Sequence, residues 1–162
     1  MKKLILIISC FLLSFSIKAQ DKEEIVLTGE YRFEELYNNS KLPWFQSNFI
    51  QYNYNPLTVQ QLHKYSDTEI RFVVFGGTWC EDTQNLIPRF YKVVTDAGFQ
   101  EQNYSLYLLN RQKKSPSGQE EGLNILKLPT IIVYRNGQEI GRIIEVVTRN
   151  IEADLLDILE MH

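Results

Sequence analysis

Cysteine is nearly absent from this chain: its 162 residues carry two, Cys10 and Cys80. That excludes a disulfide-dense scaffold, in which several bridges stand in for a core. Histidine is as scarce, with only His63 and His162. No His, Cys and Asp fall at metal-ligand spacing, so both histidines read as surface residues and no metal or other cofactor is expected. Basic charge is in short supply: seventeen Lys and Arg stand against twenty Asp and Glu, for a net charge of −3. A protein that grips phosphates needs a basic face, so no nucleic-acid partner is expected. Long hydrophobic runs are missing too. The longest, Leu4 to Ile17, covers 14 residues and is interrupted by three serines, whereas a membrane span needs about 20. There is no nucleophile elbow for a Ser/His/Asp hydrolase, no internal repeat and no low-complexity tract.

What is present is a globular balance: 44% hydrophobic, 12% aromatic and 23% charged residues. The length fits one domain, or a domain with a tail.

The first 19 residues read as an export signal. Lys2 and Lys3 form a basic start, the short apolar run follows, and Ala19 precedes Gln20 and the charged stretch Asp21-Lys22-Glu23-Glu24. Cleavage after Ala19 would leave Cys80 as the only thiol and, by removing Lys2, Lys3 and Lys18 but no acid, shift the net charge from −3 to −6. The expected location is the periplasm or beyond. A second reading takes Ile7-Ile8-Ser9-Cys10 as a lipobox, which would tie the chain to a membrane through a lipidated Cys10.

Residues 20–55 form an extension rich in aromatics, among them Tyr31, Phe33, Tyr37, Trp44, Phe45, Phe49, Tyr52 and Tyr54. Their number suggests packing against the rest of the chain, and a short helix fits Phe33 to Tyr37. From residue 56 the signals sharpen. Asn55 and Pro56 predict a helix start and a helix to about Tyr65. Ile70 to Phe75 is an apolar run broken only by Arg71, the mark of a buried central strand. The spacing of Leu86, Ile87, Phe90, Val93 and Val94 predicts a helix from about Cys80 to Ala97, ended by Gly98. A strand over Tyr104 to Asn110, a polar loop over Arg111 to Gly118 and a short helix over Gln119 to Leu126 come next. Thr130 to Tyr134 and Glu139 to Ile144 then read as a hairpin about Asn136-Gly137, and Asn150 to Met161 as a closing amphipathic helix. Strands separated by helices are expected to pair in parallel through crossovers, and the final two antiparallel. The fold class is therefore α/β: a mixed sheet with helices on both faces and an aromatic extension.

Trp79-Cys80-Glu81-Asp82-Thr83 stands where the first strand gives way to a helix. Free amides and the positive end of the helix dipole favour a thiolate at such a place, while Glu81 and Asp82 oppose it. A lone cysteine is more often a small buried apolar residue, but the Gly76-Gly77-Thr78-Trp79 turn and the helix start point to a working thiol.

Phe75-Gly76-Gly77-Thr78-Trp79-Cys80, followed by a helix, resembles the active-site loop of the thioredoxin family. Three further features fall in register: Pro88 eight residues past Cys80, Leu128-Pro129-Thr130 before the hairpin, and the strand and turn from Pro129 to Gly137. The resemblance covers about residues 57–161 and makes residues 56–162 a thioredoxin-like domain. It implies that Pro129 is cis and faces Cys80, and that Trp79, Leu128, Pro129 and Thr130 line a groove whose backbone pairs with an extended substrate. The departures matter as much. The family's Cys-x-x-Cys becomes Cys80-Glu81-Asp82-Thr83, so no second thiol resolves a mixed disulfide, although the Thr83 hydroxyl could bond the Cys80 sulfur. Val74 occupies the place of the family's buried acid.

The function implied is one-thiol exchange at Cys80 with a disulfide- or thiol-bearing protein or a small thiol, assisted by Thr83 and released by an external thiol. The alternatives are a non-catalytic peptide-binding module using the same groove and a thiol peroxidase. Against the peroxidase, Gly77 stands where peroxidases of this fold carry Thr.

Overall fold

The structure, a computed structural model, describes residues 24–67 and 69–161. The expected export signal, Cys10 and His162 lie outside the described residues.

The centre is β2 (Ile70–Gly76), the apolar run of the sequence. On one side it pairs in parallel with β3 (Tyr104–Leu108), and on the other antiparallel with β4 (Thr130–Arg135). β5 (Gln138–Ile144) completes the hairpin, with Asn136 and Gly137 both at positive φ in its turn, as an Asn-Gly hairpin requires. A short strand missed in the sequence, β1 (Gly29–Tyr31), adds antiparallel to β3, giving the order β1-β3-β2-β4-β5. This is a mixed sheet flanked by helices.

The extension builds two of those helices. α1 (Phe33–Tyr37) lies where expected, whereas α2 (Pro43–Gln51) was masked by poor periodicity. Only Phe45 of α2 is fully buried, so the helix carries no continuous apolar stripe to read. Phe33 and Phe45 enter the core beside Phe90 of α4 (Glu81–Asp96), and Tyr91 stacks on Phe33. Burying each such ring contributes about 1.5–3 kcal/mol relative to leaving it in water. α3 (Pro56–Leu62) begins at the Asn55 cap, whose side chain accepts from the Leu57 and Thr58 amides, and tightens into a 3₁₀ turn over His63–Tyr65. α5 (Ile151–Glu160) closes the chain. Its Glu152 is buried and accepts from the Tyr52 hydroxyl at 2.6 Å and the Asn55 amide at 2.8 Å, locking the end of the extension to the last helix.

Two expectations fail together. Residues 119–124 form turns and 125–126 irregular backbone, not a helix, because Gly122 and Asn124 take positive φ and the Glu120 carboxylate accepts from the Ser115 amide and hydroxyl. With no crossover helix, β4 pairs antiparallel to β2 rather than parallel. Segment 109–129 starts at the end of β3, beside Gly76, and returns at Thr130, beside Phe75. It stays at one edge of the sheet, and that edge carries Cys80. It also covers the sheet face away from the main core, through Leu109, Ile125 and Leu128 packed on Phe75 and Ile132.

Candidate functional site

The site is built on two glycines. A Cβ on Gly76 would lie 2.5 Å from Ile87 Cδ1 and 2.9 Å from Thr83 Cγ2. One on Gly77 would lie 2.7 Å from Trp79 Nε1. Only glycine lets the strand end run this close to α4 and lets the indole fold back across the turn. The Cys80 amide donates to the Gly77 carbonyl at 2.9 Å, closing the turn, and the Gln84 amide donates to the Cys80 carbonyl at 3.0 Å, opening the helix.

Cys80 is thus the N-cap of α4, with extended backbone at φ −94° and ψ 121°. Its side chain makes no capping bond and is partly exposed. The thiol donates to the Leu128 carbonyl at 3.4 Å. The Leu128–Pro129 peptide bond is cis, as the resemblance implied. Around it, the Glu145 amide donates to the Pro129 carbonyl at 2.7 Å, the Thr130 hydroxyl donates to the Lys127 carbonyl at 2.8 Å, and Lys127 pairs with Glu145. That pairing raises Lys127 above the ordinary lysine range, with a smaller push from Asp82 across the site.

Leu128 and Thr130 are buried, the first within the second apolar cluster. What they offer a partner is therefore backbone. Among the described residues the Leu128 amide has no hydrogen-bond partner, although the carbonyl of the same residue accepts from the thiol.

Thr83 is fully buried, and its hydroxyl accepts from the Gly77 amide at 3.2 Å. The expected bond from Thr83 to the Cys80 sulfur is not made. Thr83 lies on the inward face of α4 beneath the glycine turn, whereas the sulfur, at the cap, faces the cis-proline loop. Val74 is fully buried, so the place of an internal acid is apolar.

Trp79 donates its indole N–H to the Leu109 carbonyl at 3.0 Å, and Arg111 lies over its ring at 5.2 Å. Arg111 also pairs with Glu24. Thr78, buried, accepts from the Leu27 amide at 3.1 Å and donates to the Ile25 carbonyl. The N-terminal segment is thereby laced to the thiol loop, a contact that nothing in the sequence marks. Gln84, also passed over in the sequence, donates from its side chain to the Thr78 carbonyl at 2.7 Å. Its own carbonyl accepts from Asn48 of α2.

His63 lies in the 3₁₀ turn after α3, exposed, with its Nδ1 2.9 Å from the Ala97 carbonyl. Among the described residues no group of His, Cys, Asp and Glu could hold a metal ion, and no helix is long and apolar enough to cross a membrane.

No protein-family model matches the chain, and no curated protein matches it. Solved structures do. A crystal structure of a protein of unknown function from Pseudomonas aeruginosa matches with a TM-score of 0.58 at 14% identity, over 82% of this chain and 93% of that one. An HIV epitope-scaffold matches with a TM-score of 0.57 at 14% identity, over 84% and 94%. At these identities the likeness shows the fold alone. A mutant thioredoxin from Halobacterium salinarum superposes at a TM-score of 0.39 and 18% identity, over 59% of this chain and 76% of that one, too slight a likeness to bear on the argument.

Proposed function

We propose that this chain is an exported, thioredoxin-like protein that carries out one-thiol exchange at Cys80. The observation that carries the reading is the pairing of a partly exposed N-cap thiol with the cis Leu128–Pro129 peptide, at 3.4 Å from sulfur to carbonyl. Among the described residues the thiol's one hydrogen bond is to that carbonyl, and the thiolate is the form that attacks a disulfide. The thiolate attacks one sulfur of a substrate disulfide. The old S–S bond breaks, a bond from Cys80 to the substrate forms, and the displaced sulfur leaves as a thiolate that takes a proton from water. A low-molecular-weight thiol then attacks the mixed disulfide and frees Cys80. The buried Thr83 positions the loop through Gly77 and takes no part in resolution. Export rests on the basic, apolar and small-residue order of residues 1–19.

One observation favours a second reading, a peptide-binding module without turnover. The partnerless Leu128 amide is a free donor for an extended chain laid beside it. Trapping in cells separates the two. Exchange predicts covalent partners on the wild-type chain that are released by reductant and absent from Cys80→Ala. Binding alone predicts the same non-covalent partners on both.

A further inference from the structure

Beside the thiol loop, the extension leaves a groove of about 800 Å³, within the range that small ligands and short peptide segments occupy. One wall belongs to the site: Thr78, two residues before Cys80, and Gln84, one helical turn after it. The other is supplied by α2 and the turn before it, through Pro43, the half-buried ring of Trp44, and Ser47. The walls are tied at their base, because Gln84 bonds Thr78 at 2.7 Å and Asn48 bonds Gln84 at 2.9 Å. Two charged residues stand on the rim. Glu24 is engaged by Arg111, whereas the exposed Lys41 has no ion-pair partner among the described residues. The groove therefore offers an aromatic and proline surface, the exposed Ser47 hydroxyl and one unspent positive charge.

We propose that this groove holds the polypeptide flanking the substrate cysteine: an extended segment with an acidic side chain opposite Lys41. This rests on the exchange reading above and gives it a substrate class. A chain bonded to the Cys80 sulfur must run off in some direction, and the groove is lined by Thr78 and Gln84, two residues before and four after Cys80. Charge on the rim then acts mainly on the rate of encounter.

The test uses the full chain and two single-cysteine peptides, each activated as a mixed disulfide with thionitrobenzoate, one flanked by Glu and one by Lys. Hydroxyethyl disulfide serves as a small uncharged reference. Wild type is expected to react several-fold faster with the Glu peptide than with the Lys peptide, and Lys41→Glu to reverse that order. Ser47→Arg, on the exposed rim, is expected to lower the ratio of peptide rate to hydroxyethyl disulfide rate several-fold. Equal rates for the two peptides, or ratios unmoved by either variant, would overturn the proposal. A parallel arm follows binding of the reduced, labelled Glu peptide to Cys80→Ser by fluorescence anisotropy. Binding that Lys41→Glu abolishes supports the groove even if wild type exchanges with no disulfide, an outcome that would sink the exchange reading alone. No binding in that arm, or a dimer in sedimentation that Ser47→Arg dissociates, overturns the groove as a peptide site.

Discussion

Asn48 donates its side-chain N–H to the Gln84 carbonyl at 2.9 Å, and the reason lies four residues on. Pro88, inside α4, has no N–H to give that carbonyl its helical bond. The extension thus repairs a defect in the helix that carries Cys80. Asn48→Leu is expected to cost about 1 kcal/mol, the net worth of one hydrogen bond to a part-buried acceptor. In a Pro88→Ala background, where the helical N–H returns, the same change is expected to cost clearly less. Urea unfolding of the four proteins of this cycle checks it, and equal costs in both backgrounds would break the link.

The close approach at Gly76 makes a second expectation. Gly76→Ala would press its methyl to 2.5 Å from Ile87 Cδ1, an overpacking cost of about 1–3 kcal/mol. Ile87→Val removes the clashing carbon and is expected to recover part of that loss in the double variant. If Gly76→Ala unfolds at the same urea concentration as wild type, α4 does not sit against the strand end as described.

Thr83→Cys places a second sulfur on the buried face of α4, three residues after Cys80. It is expected to restore a dithiol cycle and raise the rate of insulin disulfide reduction above wild type. A folded Thr83→Cys protein with no gain would count against the proposed site geometry.

Alkaline stability offers a test of the aromatic layer. Burial, reinforced by Tyr91 and Glu101, pushes Tyr104 from 10.0 up to about 12. In the unfolded chain it ionises near its ordinary value, so between about pH 10 and pH 12 the unfolded state binds fewer protons and stability falls as pH rises. Tyr52 adds in the same direction, through burial and its bond to Glu152. Tyr104→Phe is expected to flatten the decline across that window, measured as unfolding free energy against pH. An unchanged slope would mean that Tyr104 is not shielded in the folded state.

How much of this was legible beforehand follows the physics of each signal. Ile70 to Phe75 and Asn136-Gly137 read correctly because a buried strand and a primed turn each leave a dense local mark. The meeting of Cys80 with the Leu128 carbonyl was readable only through a family resemblance, since nothing local says that residues 48 positions apart will meet. α2 escaped because its single buried residue, Phe45, sets no period. The expected helix at 119–126 fails on Gly122 and Asn124, whose positive φ decides the matter and is not fixed by residue type alone. For the Asn48–Gln84 bond, the need was visible in Pro88 but the donor was not.

The central claim is that Cys80 is a working nucleophile in the folded chain. The direct measurement is the rate at which hydroxyethyl disulfide forms a mixed disulfide with Cys80, followed by intact mass, for the folded protein and the urea-unfolded chain in the same buffer. The account predicts faster reaction in the folded state, one adduct that an added thiol removes, and none on Cys80→Ala. Adduct formation only after unfolding would contradict it.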